Sequence, residues 1–132
     1  MEIQTHPNMR AAGTIRPYRC VVVDTSADNT GDEAAAADAF VVGITDGSTK
    51  AFDSANHAES GDPISLQSGN IMIAEAGAAI TRGARIATAA DGQVVTETTA
   101  GASKMNVGIA LESAGGADER IRIYFMPHAN QV

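Results

Sequence analysis

At neutral pH, a small protein usually does chemistry through a titratable side chain held against a partner that tunes it. The chain has three histidines, His6, His57 and His128, in three separate regions, none with a carboxylate or cysteine at ligand spacing. They read as surface histidines rather than as one metal site. Cys20 sits inside the apolar run Cys20-Val21-Val22-Val23, where a small buried thiol is ordinary. Asp24, Asp28, Asp32 and Glu33 make an acidic stretch, but the glycine and distal glutamate of a calcium loop are misplaced in it. No glycine fingerprint follows a strand and there is no phosphate-binding lysine motif. The expectation is a non-enzyme without metal or cofactor. Two close arginine pairs stand out instead, Arg82 with Arg85 and Arg120 with Arg122, the latter beside Tyr124. Outward-facing arginines on strands are suited to bidentate contacts with a partner's carboxylates, so these five residues are candidates for an oligomer interface.

The composition says what must position them. Of the 132 residues, 25 are alanine, while Leu, Ile, Val and Phe together number 25, with Ile and Val far ahead of Leu. Branching at Cβ is cheap in a pleated strand and costly in a helix, so an all-β domain is expected and a leucine-patterned bundle is excluded. The core is thin, because a buried alanine removes little apolar surface from water. A lone cysteine allows no internal disulfide and fits synthesis in a reducing cytosol. With neither disulfide nor metal, association with other chains is the remaining common support for such a scaffold. A net charge of −7 and a pI near 4.7 argue against nucleic acid as a partner. No apolar stretch is long enough for a membrane span, and the start of the chain lacks the pattern of a signal peptide.

Along the chain, residues 1–14 read as an extended arm and 15–132 as one β domain. Strands are expected at 19–24, with Cys20 to Val23 buried on both faces, and at 40–45, closed by the turn pair Asp46-Gly47. Ile64-Ser65-Leu66 and Ile71-Met72-Ile73 read as a hairpin across Ser68-Gly69-Asn70. Further strands are expected at 80–86, at Val94-Val95 after the Asp91-Gly92 turn, and at 105–111, with Met105, Val107, Ile109 and Leu111 on one face. The last, 120–126, points Ile121, Ile123 and Phe125 inward and ends at Pro127. Residues 25–38 read as a polar loop in which Ala34 to Ala37 form at most one helical turn. Shifting the chain by 65 residues lays Val42-Gly43-Ile44 on Val107-Gly108-Ile109, a faint repeat of 15–66 in 80–123, with Gly43 and Gly108 at equivalent bends or close approaches.

Several short segments then form an order: Gly61-Asp62-Pro63-Ile64-Ser65-Leu66, Gly69-Asn70-Ile71-Met72-Ile73-Ala74, Ala78-Ala79-Ile80-Thr81-Arg82-Gly83, Asp91-Gly92-Gln93-Val94-Val95, the run from Asn106 to Ala114, and Arg120-Ile121-Arg122-Ile123. In this order, over roughly residues 14–126, the chain resembles the small capsid decoration, or cement, proteins of tailed bacteriophages. The resemblance implies a small compact β-barrel, β-clip-like or sandwich domain with an extended N-terminal arm. It also implies a structural protein on the outside of the virion, which binds the major capsid protein of the mature icosahedral head and bridges coat subunits. Self-association as a homotrimer, or as a homodimer, is implied as well. An arm touching the shell would place His6, Pro7, Met9, Arg10, Ile15 and Arg16 at the capsid, by position alone. Two other readings stay open: a small oligomeric β-domain enzyme or ligand-binding module with a site between subunits, and a head fibre or other minor structural protein of the same virion. The shortage of aromatic residues weighs against a ring-stacking sugar site.

Overall fold

The computed structural model describes residues 9–47, 57–98 and 105–129. Among them there is no helix, and the strands are β1 (Arg10–Ala11), β2 (Cys20–Val23), β3 (Thr30–Glu33), β4 (Gly43–Ile44), β5 (Ile71–Glu75), β6 (Arg85–Thr88), β7 (Val94–Thr96), β8 (Met105–Ala110) and β9 (Arg120–Ala129). They build two sheets, β1-β3-β2-β4 and β5-β9-β8-β6-β7, antiparallel except where β1 runs parallel to β3. The domain is all-β, and neither sheet closes into a barrel. Every strand but β9, which has ten residues, is two to six residues long, as expected where valine and isoleucine come in short runs between glycine and aspartate turns.

The interior is as thin as the composition suggests. Eight of the 21 buried apolar residues among the described ones are alanine. The bulk comes from Ile15, Ile44, Ile86 and Ile123 with Val21, Val41, Val94 and Val107. They fall into two clusters. The smaller holds Ala11, Ile15, Val21, Ala58 and Ile64; the larger runs from Cys20 and Ile44 across to Ile86, Ile121 and Ile123.

Several expectations need correction. Residues 64–66 and 71–73 do not pair as a hairpin. The chain does turn at Gly69, which has φ +87°, but Leu66 bridges to Thr45 and β5 pairs along β9, from Ile71↔Tyr124 to Glu75↔Arg120. The side chain of Gln67 takes the place of a ladder, accepting from the Ile73 N–H (2.8 Å) and donating to its carbonyl (2.7 Å). The polar stretch 25–38 contains a strand, β3, and the alanine run forms no helical turn. Only Gly43 and Ile44 of the expected 40–45 strand are in β4, and Phe40 is exposed. Within 80–86 the chain turns at Gly83 (φ +91°), so β6 starts at Arg85.

Cys20 and Val21 are buried, but β2 then emerges into solvent at Val23. In β8 a register shift between Asn106 and Gly108 breaks the alternation: Asn106 and Val107 are both buried, while Ile109 lies opposite Tyr124 on the outer face and Leu111 is exposed. Pro127 does not end β9, which continues to Ala129 beside Met105. β5 covers β9 as far as Tyr124 and the Asn70 carbonyl accepts from Phe125 N (2.6 Å). Beyond that no strand among the described residues pairs with this side of β9, and a missing N–H there removes no ladder bond among them.

Candidate functional site

One group of ionic side chains among the described residues is engaged in the seam between the two sheets. Arg19, 7% exposed, precedes the strand β2 and projects toward the second sheet. Its Nη2 donates to Glu75 Oε1 (2.7 Å) and its Nη1 to the Asp91 carbonyl (2.8 Å). Gln93 Nε2 reaches the same Glu75 oxygen (2.8 Å) and Asp118 Oδ1 (2.8 Å). Arg120 closes the outer side, its Nε 3.8 Å from Glu75 Oε2 and its guanidinium 4.4 Å from the centre of the Tyr18 ring. This network was not foreseen, and a single arginine before three valines carries no signal that would have shown it. It is satisfied by the protein itself apart from Arg19 Nε, which is buried without a partner. Such an arrangement holds two sheets in one register, and its Arg120 also lines a shallow cavity beside Tyr18.

The residues expected at a capsid contact are placed as follows. His6 and Pro7 lie outside the described residues. Met9 packs partly buried on the smaller core cluster, and Ile15 is fully buried within it, so Ile15 serves the core and presents nothing to a partner. Arg10 is exposed in β1, its Nη1 donating to the Gly61 carbonyl (3.0 Å). Arg16 makes a fork on Glu33, with Nη2 to Oε1 at 2.6 Å and Nε to Oε2 at 3.1 Å. That bond raises the guanidinium pKa further above its ordinary value.

Of the residues expected at an oligomer interface, Arg85, Arg120, Arg122 and Tyr124 lie on strands of the second sheet, and Arg82 lies in the turn before β6. Arg122 pairs with Glu112 (3.0 Å), Arg120 joins the seam, and Arg82 and Arg85 are exposed. Across the outer face, Arg85 is opposite Ile109, Ile109 opposite Tyr124, and Tyr124 opposite Ile71. Direct partners in an antiparallel ladder put their side chains on the same face, so these four form one row over β6, β8, β9 and β5. Ile71 is 62% and Tyr124 38% exposed, and a shallow cavity of about 150 Å3 lies alongside between Tyr18, Ile73, Glu112 and Arg122. A second apolar feature, a groove of about 400 Å3, is lined by Val22, Val23, Ala35, Ala36, Ala39 and Phe40.

Two titrations follow from this geometry. The Arg122 backbone N–H, donating to Glu112 Oε1 at 2.7 Å, holds the Glu112 carboxyl below the usual range, helped by the Arg122 charge. A depressed carboxyl contributes stability above its unfolded pKa and loses it as pH falls through the folded value. A two-dimensional NMR titration should therefore find Glu112 titrating below the ordinary glutamate range. Arg122→Met should bring it only part of the way back, because the backbone donor remains. Burial pushes the Cys20 thiol up to about 12, against a smaller opposing effect of its hydrogen bond with Thr88. Because the thiolate is the reactive form, Cys20 should resist iodoacetamide at pH 8 in the native protein and react quickly in denaturant, as read by mass spectrometry.

Among the described residues no group of three His, Cys, Asp or Glu could hold a metal. His57 is 3.4 Å from Glu59, and His128 contacts Asn106 (3.0 Å). The described surface offers one apolar row beside arginines and one apolar groove, and the interior is a cross-tied β scaffold. The chain belongs to the phage cement protein family, whose model matches residues 4–125, and so has a structural, capsid-associated role. No curated protein sequence matches it. Among solved structures it is similar to the head fiber gp8.5 N base of bacteriophage phi29, with a TM-score of 0.66 and 18% identity over 90% of this chain and 91% of that one. At that identity the likeness is one of fold.

Proposed function

We propose that the protein binds the outer surface of the mature icosahedral capsid and stabilises it by bridging coat subunits, acting as a homo-oligomer without catalytic activity. The family match over nearly the whole described chain is the observation that supports this reading most strongly. The fold shared with a phage head fiber base supports a place on the outside of the head.

The mechanism is thermodynamic. Packed DNA pushes outward on the shell, and a ligand that binds only the expanded lattice stabilises that lattice by mass action. Copies that each touch several subunits gain avidity from the fixed geometry of the lattice. The N-terminal segment is the proposed point of attachment, with residues 1–8 leading into Arg10 in β1, since an added strand or arm suits an exposed sheet edge on a coat protein. Cosedimentation with expanded, undecorated heads should show saturable, stoichiometric binding. Removing residues 1–8, which leaves β1 and the buried Ala11 in place, should weaken that binding at least tenfold with the fold unchanged by circular dichroism. Equal binding by the truncated protein would place attachment elsewhere.

A further inference from the structure

The two sheets carry the same wiring. Adding 65 to each residue number turns the β2–β4 pairs Cys20↔Ile44 and Val21↔Gly43 into the β6–β8 pairs Arg85↔Ile109 and Ile86↔Gly108. Past residue 57 the offset falls to 56 or 57: the bridge Thr45↔Leu66 has its twin in Ala110↔Ile123, and Ile15↔Ala58 in Ile80↔Ala114. Single hydrogen bonds repeat too. Tyr18 N to Thr45 O (3.1 Å) matches Gly83 N to Ala110 O (2.8 Å), and Ala11 N to Asp62 O (2.8 Å) matches Ala76 N to Glu119 O (2.7 Å). Tyr18 and Gly83 both have positive φ, 60° and 91°, as do Gly61 and Asp118, 90° and 70°. The smaller core cluster of Ala11, Ile15, Val21, Ala58 and Ile64 is repeated in order by Ala76, Ile80, Ile86, Ala114 and Ile121.

The two units do not meet symmetrically. On the first sheet, the outward row of Cys20 and Ile44 has no exposed surface, because the second unit covers it. The Gly92 carbonyl accepts from Cys20 N (2.8 Å), the Asp91 carbonyl from Arg19, and the Thr88 carbonyl from Asp38 N (3.1 Å). The same row on the second sheet is Arg85 and Ile109, continued by Tyr124 and Ile71, and it opens to solvent. The covering turn has the same history in reverse. Thr88, before the turn 89–93, is 0% exposed, while its counterpart Val23, before the turn 24–29, is 55% exposed. One contact inside the chain thus leaves its two halves unused, one on each unit. A contact of this heterologous kind repeats from copy to copy and closes when the rotation allows a ring.

We propose that the chain is two copies of one β unit joined head to tail, and that a second copy of this chain continues the contact, seating its 23–29 turn on the row of Arg85, Ile109 and Tyr124. The surfaces are complementary. Val23 meets the apolar Ile109 and Tyr124, and Asp24 and Asp28 of the turn approach Arg82 and Arg85 beside the row. In a closed ring neither face stays exposed. The inference rests on the self-association in the proposed function and names the surfaces that produce it.

Light scattering on size-fractionated full-length protein tests it. The wild type should be an oligomer. Val23→Glu, which spoils the turn, and Arg82→Glu/Arg85→Glu, which spoils the row, should each run near the single-chain mass of 13.5 kDa with wild-type circular dichroism. An equimolar mixture of the two should give a two-chain species and nothing larger, because each partner keeps one intact face. Should Val23→Glu misfold, Asp28→Leu takes its place, removing the turn's charge without creating a new attraction. A monomeric wild type, variants that keep the wild-type mass, or a mixture that stays monomeric would each overturn the proposal. Cosedimentation with heads separates the two readings: an oligomer that ignores heads defeats the capsid reading alone, and a monomer that binds them defeats this inference and the self-association under it but leaves capsid binding standing.

Discussion

Replacing Gly108 with alanine is expected to destabilise the protein more than the same change at any other described glycine. A Cβ at this position would fall on the Tyr124 carbonyl oxygen, with the Tyr124 carbonyl carbon at 3.0 Å and Met126 N at 3.1 Å. All three are backbone atoms of the neighbouring strand β9, so no side chain can swing away, and β8 and β9 must separate. They are the central strands of the larger sheet. The cost should be at least about 3 kcal/mol, lowering the melting temperature by about 10 °C or more. Gly43, the position 65 residues earlier, is the control. There the nearest atom is Leu66 Cδ1 at 3.0 Å, the mobile end of a side chain, and Gly43→Ala should cost about 1 kcal/mol. Urea midpoints for the two variants decide it; equal losses would contradict the geometry.

The second large effect is expected at Arg19. Removing one member of a buried ion pair leaves the other charge uncompensated, and such changes cost about 3–5 kcal/mol. In Arg19→Met the Glu75 carboxylate keeps Gln93 and the distant Arg120, and the Asp91 carbonyl loses a donor at the seam between the sheets. Arg19→Met should therefore lose about 3 kcal/mol or more in urea unfolding. Adding Glu75→Gln removes the stranded charge, so the double variant should be more stable than Arg19→Met alone. A double variant less stable than either single one would mean that Glu75 is held by other groups and that Arg19 is not its partner in energy terms.

What could be read from the sequence follows physical lines. The alternation of Ile121 and Ile123 with Arg120, Arg122 and Tyr124 was visible because β9 has one buried and one exposed face, and the structure has it so. Val94 and Val95 after Asp91-Gly92 were visible for the same reason, with Gly92 at φ +81° in the turn. β3 was hidden because its sequence, Thr-Gly-Asp-Glu, is polar. Its one fully buried residue is Gly31, packed where a side chain would strike Val21 and Met9, so no apolar residue announces the strand. The false hairpin at 64–73 arose because a turn signal shows that the chain reverses but not which strands then pair. Here Gln67 closes the turn and the strands find distant partners.

The candidate surfaces were legible in part. Arg85, Arg120, Arg122 and Tyr124 share one sheet, with Arg82 in the turn before it, but Arg120 and Arg122 are also tied to Glu75 and Glu112 of the same chain. Ile15 was placed at a partner surface by its position after the expected arm, and its burial follows from pairing with Ala58, a contact 43 residues away that no local pattern encodes. The buried Arg19 network had no counterpart in the sequence reading for the same reason: Glu75, Asp91 and Gln93 come to it only through the tertiary fold.

The most direct test of the account is DNA retention by heated capsids. Expanded heads stripped of surface proteins are incubated with or without this protein, then heated while released DNA is followed with an intercalating dye. Binding restricted to the expanded lattice predicts that release shifts to higher temperature, and that the shift grows with added protein and levels off at a fixed ratio to coat subunits. Identical release curves at saturating protein would contradict it.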